Sequence, residues 1–205
     1  MIAGVILAGG LSQRMGGGDK CLLPVGGRPI LAHVIARLAP QVGMLALNAN
    51  GAPARFAAFG LPVLPDSVGD FPGPLAGVLA GMDWAARGGA ELLVTAAADT
   101  PFFPETLVAE LRAAARAEGL PLAMAVTRNA SGGTDRHPTF GLWPVALREE
   151  LRATLAAGQR RVVAFTEPRG CARAVFPQAV PDPFFNVNAP EDLAAADAFI
   201  AAASR

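Results

Sequence analysis

An apolar run that stops at a double glycine constrains this chain more than any other stretch. Ile2 to Leu7 is apolar enough to form a buried strand, and Gly9-Gly10 end it. Leu11-Ser12-Gln13-Arg14-Met15-Gly16-Gly17-Gly18-Asp19-Lys20 then adds three more glycines, with Arg14 and Lys20 bringing positive charge to the two ends of the loop. Glycine lets backbone N–H groups approach a ligand with no Cβ in the way, and concave rows of such groups bind phosphate. A strand opening into this loop suits a nucleoside triphosphate.

Two commoner phosphate loops are excluded. Lys20 follows Asp19 and precedes Cys21, so there is no G-x-x-x-x-G-K-[ST], and no G-x-G-x-x-G opens a helix directly. At 205 residues the chain has room for one α/β domain of ordinary size, or at most two small ones. Apolar content is 52%, much of the excess being alanine, a helix former, and no uninterrupted apolar run approaches the roughly 18 residues of a membrane span. The N-terminus lacks the basic region of a signal peptide, so a cytoplasmic protein is expected. Lys plus Arg equal Asp plus Glu at 17 each, so no global field recruits nucleic acid or a membrane. Cys21, Cys171, His33 and His137 show no paired zinc spacing, and both cysteines read as small buried residues.

Strands and helices alternate along the chain. Pro29 to Leu38 has a one-face helical pattern, and Met44 to Leu47 is a short strand ending in Asn48-Ala49-Asn50-Gly51. Leu61 to Leu64 is a third strand, stopping at Pro65-Asp66-Ser67. The rigid Pro72-Gly73-Pro74 segment precedes a helix with Leu75, Val78, Leu79 and Met82 inward. A central strand from Leu92 through Ala98 ends at Asp99. A carboxylate there is costly unless it is paired, caps a helix or binds a metal. The following helix is expected near Pro104, which leaves Asp99 free for Mg²⁺, an ion that uses one or two carboxylates with substrate phosphates.

Leu122 to Val126 is a fifth strand, followed by a mobile-looking polar loop from Thr127 to Asp135 and another strand led by Arg136-His137-Pro138-Thr139. Val145 to Ala156 is a helix, after which Arg160 and Arg161 are either a solvated helix end or a site for anions. Ala172 to Phe176 is a late strand. Asn188 with Glu191 three residues on reads as a capping box for an alanine-rich last helix lying on the sheet, leaving Asn186 unassigned. The alternation predicts a three-layer α/β/α sandwich with a mostly parallel, Rossmann-like sheet in a single domain over 1–205.

The string L-A-G-G-x-S-x-R-M-G-G-x-D-K resembles the signature of nucleotidyltransferases that join a nucleoside monophosphate to a phosphorylated acceptor. With P-G-P-L-A-G, D-T-P-F, H-P-T, G-x-R-R-V and F-x-N-V-N-x-P-E in order, the chain looks most like the molybdenum cofactor guanylyltransferases. The resemblance implies a nucleotide half near 1–100 and an acceptor half over 101–205. It implies phosphate binding by Leu7, Ala8, Gly9, Gly10, Arg14 and Lys20, nucleoside contacts from Asn48 and Asp66, and Mg²⁺ on Asp99. His137, Arg160, Arg161 and Asn186 are the acceptor-side candidates, with His137 equally readable as structural. Family members often carry Cys or Pro in the two positions before the aspartate, where this chain has Ala97 and Ala98; the metal role is unaffected.

The implied reaction takes GTP and Mo-molybdopterin to a guanine dinucleotide and pyrophosphate. Lys20, Arg14 and Asp99 carry the chemistry, and molybdoenzyme apoproteins, their chaperones and the molybdenum-insertion protein are downstream partners. Three readings compete: a cytidylyltransferase for the same cofactor or a sugar-phosphate nucleotidyltransferase; a non-catalytic GTP-dependent cofactor-delivery protein; and an NAD-binding module. The glycine spacing and the lack of an acid at the second strand's tip oppose the last.

Overall fold

The computed structural model describes residues 1–9, 19–67, 73–129 and 131–203. Its frame is a seven-stranded sheet in the order β5-β4-β1-β6-β8-β7-β9, where β1 is Ile2–Leu7, β4 Met44–Asn48, β5 Val63–Leu64, β6 Leu92–Ala97, β7 Leu122–Arg128, β8 Thr134–Pro144 and β9 Cys171–Phe176. β8 is antiparallel to both neighbours, and the other pairs are parallel. Helices cover both faces, which is why β1 and β6 read as continuous apolar runs rather than alternating ones. Ile6, Leu47 and Val94 face α1 (Ile30–Leu38) and α3 (Leu107–Glu118). Val5, Leu7 and Leu93 face α2 (Pro74–Arg87), α4 (Arg148–Ala156) and the short α5 (Val162–Thr166). The expected three-layer, mostly parallel architecture is the observed one. No helix among the described residues is long and apolar enough to cross a membrane.

Several local expectations need correction. The third strand is only Val63–Leu64, because Pro62 and Pro65 bracket it. A two-stranded hairpin, β2 (Pro24–Val25) with β3 (Arg28–Pro29), precedes α1 and puts Pro29 outside that helix. Its turn uses Gly26 and Gly27 at φ 58° and 73°, the left-handed region that glycine tolerates. β7 runs on to Arg128 and β8 starts at Thr134, so both ends of the expected polar loop belong to a hairpin; Asn129 ties its tip, accepting from the Gly133 N–H at 2.8 Å.

The last helix, α6 (Pro190–Ala203), does not lie on the large sheet. It packs on the hairpin: Ala196 joins Val25, Ile30 and Val187 in a separate small core, and the Gly26 N–H donates to Asp197 at 2.6 Å. Phe199 sets its ring edgewise on Phe102 and Phe185. The capping box is also one residue out of frame. With Pro190 first in the helix, Asp192 is the third helical residue, and its Oδ2 accepts the N–H groups of Asn188 and Ala189 at 2.8 and 2.9 Å. Asn188 is thereby released from capping.

Candidate active site

Parallel strands place their C-terminal tips together, and β1, β4 and β6 converge there. β1 ends at Leu7, whose carbonyl accepts the Ala98 N–H at 3.1 Å, while the Ala8 N–H donates to the Asn48 carbonyl at 2.9 Å. Backbone amides offered to an anion therefore begin no earlier than Gly9, which narrows the Leu7–Gly10 candidate. Gly10 and Arg14 lie outside the described residues, as do Asp70, Phe71 and Pro72.

Lys20 opens a single 3₁₀ turn, Lys20–Leu22, that brings its ammonium to the tip of β6. The Nζ lies 2.7 Å from Asp99 Oδ2, and both side chains are largely covered. A second donor bond runs from the same Nζ to Asn188 Oδ1 at 2.5 Å. The Val187 N–H donates to the Asp99 carbonyl at 2.9 Å, which lays the 186–188 segment beside β6 and delivers Asn188. Asn188 is thus a site residue that sequence reasoning missed, because the one-residue frame error had it occupied by capping. Asn186 is exposed on the same segment.

Asp99 caps no helix: α3 begins at Leu107, with Thr106 before it. Its Oδ1 meets the Thr100 hydroxyl only at 3.4 Å. Among the described residues no three His, Cys, Asp or Glu side chains gather as a metal cage. Asp99 is not free as expected, since Lys20 takes Oδ2, but Oδ1 has only the long Thr100 contact and fits a magnesium ion that arrives with substrate phosphates and keeps much of its water.

The second cluster forms where β4 and β5 end. Asn48 is buried and donates through Nδ2 to Asp66 Oδ1 at 2.9 Å and to the Leu64 carbonyl at 3.1 Å. Asn50 was not expected here. It donates to Asp66 Oδ2 at 2.7 Å and accepts the Asp66 N–H at 2.9 Å. Asn48 and Asp66 thus pair with each other, and Asn50 completes the cluster. Above it, Gly73 precedes α2 at φ 145°, and a Cβ there would lie 3.6 Å from the Arg160 carbonyl. Gly73 and Arg160 are neighbours in space, 87 residues apart in sequence. Arg160 and Arg161 are exposed, their N–H groups both donating to Gln159 Oε1 at 3.0 Å.

His137 is more packed than poised. Its ring stacks on Phe184 at 4.1 Å and 15°, its Nε2 lies 2.9 Å from the Thr127 hydroxyl, and burial holds its pKa below the ordinary value despite Asp182 and Asp135 nearby. Cys21 is buried beside the site, and burial together with the charges of Asp19 and Asp99 pushes its thiol up to about 12, so it is a packing residue and not a nucleophile. Burial raises Cys171 to about 11.

A doubly wound sheet with a lysine–carboxylate pair at its strand tips and an asparagine–aspartate cluster alongside defines a nucleotidyltransferase. The MobA-like NTP transferase domain matches residues 4–172. Molybdenum cofactor guanylyltransferase from Bradyrhizobium sp. is 53% identical over 207 residues, covering 100% of this chain and 95% of its own. The enzyme of that name from Mesorhizobium japonicum is 52% identical, covering 95% and 94%. In structure, the molybdopterin-guanine dinucleotide biosynthesis protein A of Archaeoglobus fulgidus superposes with a TM-score of 0.72 at 20% identity, over 98% of this chain and 100% of its own. The 4-diphosphocytidyl-2C-methyl-D-erythritolsynthase of Anaerococcus prevotii reaches 0.75 at 15% identity, over 98% and 96%. The chain belongs to the MobA-like NTP transferase family.

Proposed function

We infer that this chain transfers GMP from GTP to the terminal phosphate of Mo-molybdopterin, forming Mo-molybdopterin guanine dinucleotide in the cytoplasm. The observation that carries the reading is identity above 50% along nearly the whole chain to relatives named molybdenum cofactor guanylyltransferase, in a chain that keeps Lys20 against Asp99. The fold by itself does not choose the base, since a structural neighbour is named for a cytidyl compound.

An oxygen of the acceptor phosphate forms a bond to the α-phosphorus of GTP as the bond from that phosphorus to the β-phosphate oxygen breaks. The electron pair and negative charge leave with pyrophosphate. The nucleophile is already anionic near neutral pH, so no general base is required, which suits a packed His137. The protein supplies alignment and fixed charge. Lys20 balances charge on the transferred and leaving phosphates, and the Asn48–Asp66 cluster takes the nucleoside. Arg160, Arg161 and Asn186 face the acceptor's polar groups. Asp99 would hold a magnesium ion, which would supply charge neutralisation for the triphosphate. The product then passes to the molybdoenzyme apoproteins and the proteins that insert the metal and escort them.

The experiment is a thermal shift with each nucleoside triphosphate and Mg²⁺, followed by pyrophosphate release with Mo-molybdopterin. GTP at ~100 times its Kd adds about 2.7 kcal/mol of stability. Equal shifts with CTP would sink the guanine assignment. Binding without pyrophosphate release would point to cofactor delivery.

A further inference from the structure

Arg55 lies outside every motif of the family resemblance, yet its guanidinium joins both halves of the nucleotide site. It sits in the 3₁₀ segment Pro53–Phe59, after the turn that follows β4. Its Nε pairs with the carboxylate of Asp19, the residue directly before Lys20. Its Nη2 donates to the Asn50 carbonyl at 2.5 Å and its Nη1 to the Ala52 carbonyl at 2.7 Å. The guanidinium carbon rests 4.5 Å from the centre of the Phe56 ring, and Phe56 is buried in the main core. Gly51, at φ 83°, makes room: a Cβ there would press on Arg55 Nη1 at 3.2 Å.

We propose that Arg55 is a positioning residue for nucleotide binding, tying the phosphate end of the site to its nucleoside end and covering the negative charge of Asp19. Three acceptors in three directions suit a planar, always charged fork and not a point charge. Through Asp19 the arginine sets where Lys20 starts. Through the Asn50 carbonyl it holds the turn whose side chain grips Asp66 at two points. Left uncovered, the Asp19 carboxylate would oppose a triphosphate bound at the neighbouring lysine.

The inference rests on the guanylyl-transfer reading, and the test separates the two. GTP KM and kcat are measured, with melting temperature, for the wild type, Arg55→Met, Arg55→Lys and the double variant Arg55→Met/Asp19→Asn. Methionine keeps the apolar stem on Phe56 without the charge. Arg55→Met should raise KM about tenfold or more with kcat within about threefold, the pattern of lost binding and not lost chemistry. Removing the uncovered charge in the double variant should lower KM again by about threefold or more. Unchanged KM in Arg55→Met overturns the proposal. So does a joint fall in kcat and melting temperature that the second substitution does not relieve, which marks a merely structural arginine. Should Arg55→Met not fold, Arg55→Lys decides: lysine can meet Asp19 but not both carbonyls as well. Its KM should rise about threefold with kcat kept, and an unchanged KM refutes the bridge. A wild type that transfers no GMP overturns the functional reading and this inference with it.

Discussion

Lys20 and Asp99 lie 2.7 Å apart and half the site depends on that pair, yet their removal should leave the fold nearly intact. The two side chains are 15% and 24% exposed, between a solvated and a fully buried pair, so loss of one partner is expected to cost about 1–3 kcal/mol of unfolding free energy. Turnover of Lys20→Ala should fall by about two orders of magnitude or more, because a compact cation in a partly dry phosphate site has no replacement. Lys20→Arg should recover only part of it. Guanylylation rate and melting temperature on both variants check this, and normal turnover in the alanine variant would remove the triphosphate from this loop. Asp99→Asn should fold and lose magnesium-dependent transfer, since charge neutralisation by a metal contributes several kcal/mol. Near-normal turnover at ordinary magnesium would refute the metal role. His137 allows a pH test. Its folded pKa lies below the ordinary 6.5, so the unfolded state binds the proton more tightly and stability falls as pH drops below 6.5. His137→Phe should flatten that part of a denaturant-measured stability curve between about pH 7 and 5; an unchanged slope would assign it to other groups.

At the scale of elements, α2 does more than cover the sheet. Gly77 and Gly81 let it lie directly on β1, β4 and β6. A Cβ at Gly81 would come within 2.8 Å of Val5 and 2.9 Å of Leu93. A Cβ at Gly77 would meet the Asn48 side chain and lie 2.9 Å from Leu7. Alanine gains about 1 kcal/mol of helix propensity at either position, against about 1–3 kcal/mol for overpacking. Both substitutions should therefore destabilise modestly, and their kinetics should diverge. Gly77→Ala must turn Asn48 away from Asp66 and should raise the KM for GTP. Gly81→Ala touches only apolar side chains and should leave KM unchanged. Equal KM in the two variants would mean that the Asn48–Asp66 bond does not shape the nucleotide site.

At the scale of the molecule, the sheet's change of direction is stapled by one hydroxyl. The ladder between β6 and β8 pairs Leu92–Val94 with Leu142–Pro144. Beyond it, Thr95 Oγ1 accepts the Gly141 N–H at 3.2 Å and the Trp143 indole N–H at 3.1 Å, all within the core. Thr95→Val conserves shape but strands two buried donors, so it should cost about 2–4 kcal/mol in denaturant unfolding. A loss below about 1 kcal/mol would show that the donors find other partners. Two helices of the layer on one face are joined as well: Arg152 of α4 donates to Asp83 of α2 at 2.7 Å, and Ser67 donates to the other oxygen of Asp83 at 2.9 Å. Ser67, just past Asp66, is thus tied through Asp83 to α4.

Periodicity and strand-ending residues were enough to place most of the alternating elements and the strand tips at Asn48, Asp66 and Asp99. Those signals are local: a buried parallel strand needs an apolar run, and a polar residue at its end is conspicuous. The sequence did not disclose pairings between distant segments. Asn188 reaching Lys20, Arg55 reaching Asp19, and Gly73 meeting Arg160 each require the sheet order to be known first. The cap at α6 shows the limit most plainly. Asn188-x-x-Glu191 and Ala189-x-x-Asp192 overlap by one residue, and a single residue's shift decides whether Asn188 serves a helix or the site. Pro190 at the first helical position and the Val187–Asp99 backbone bond settle that frame, because the segment must lie beside β6 before the helix can start.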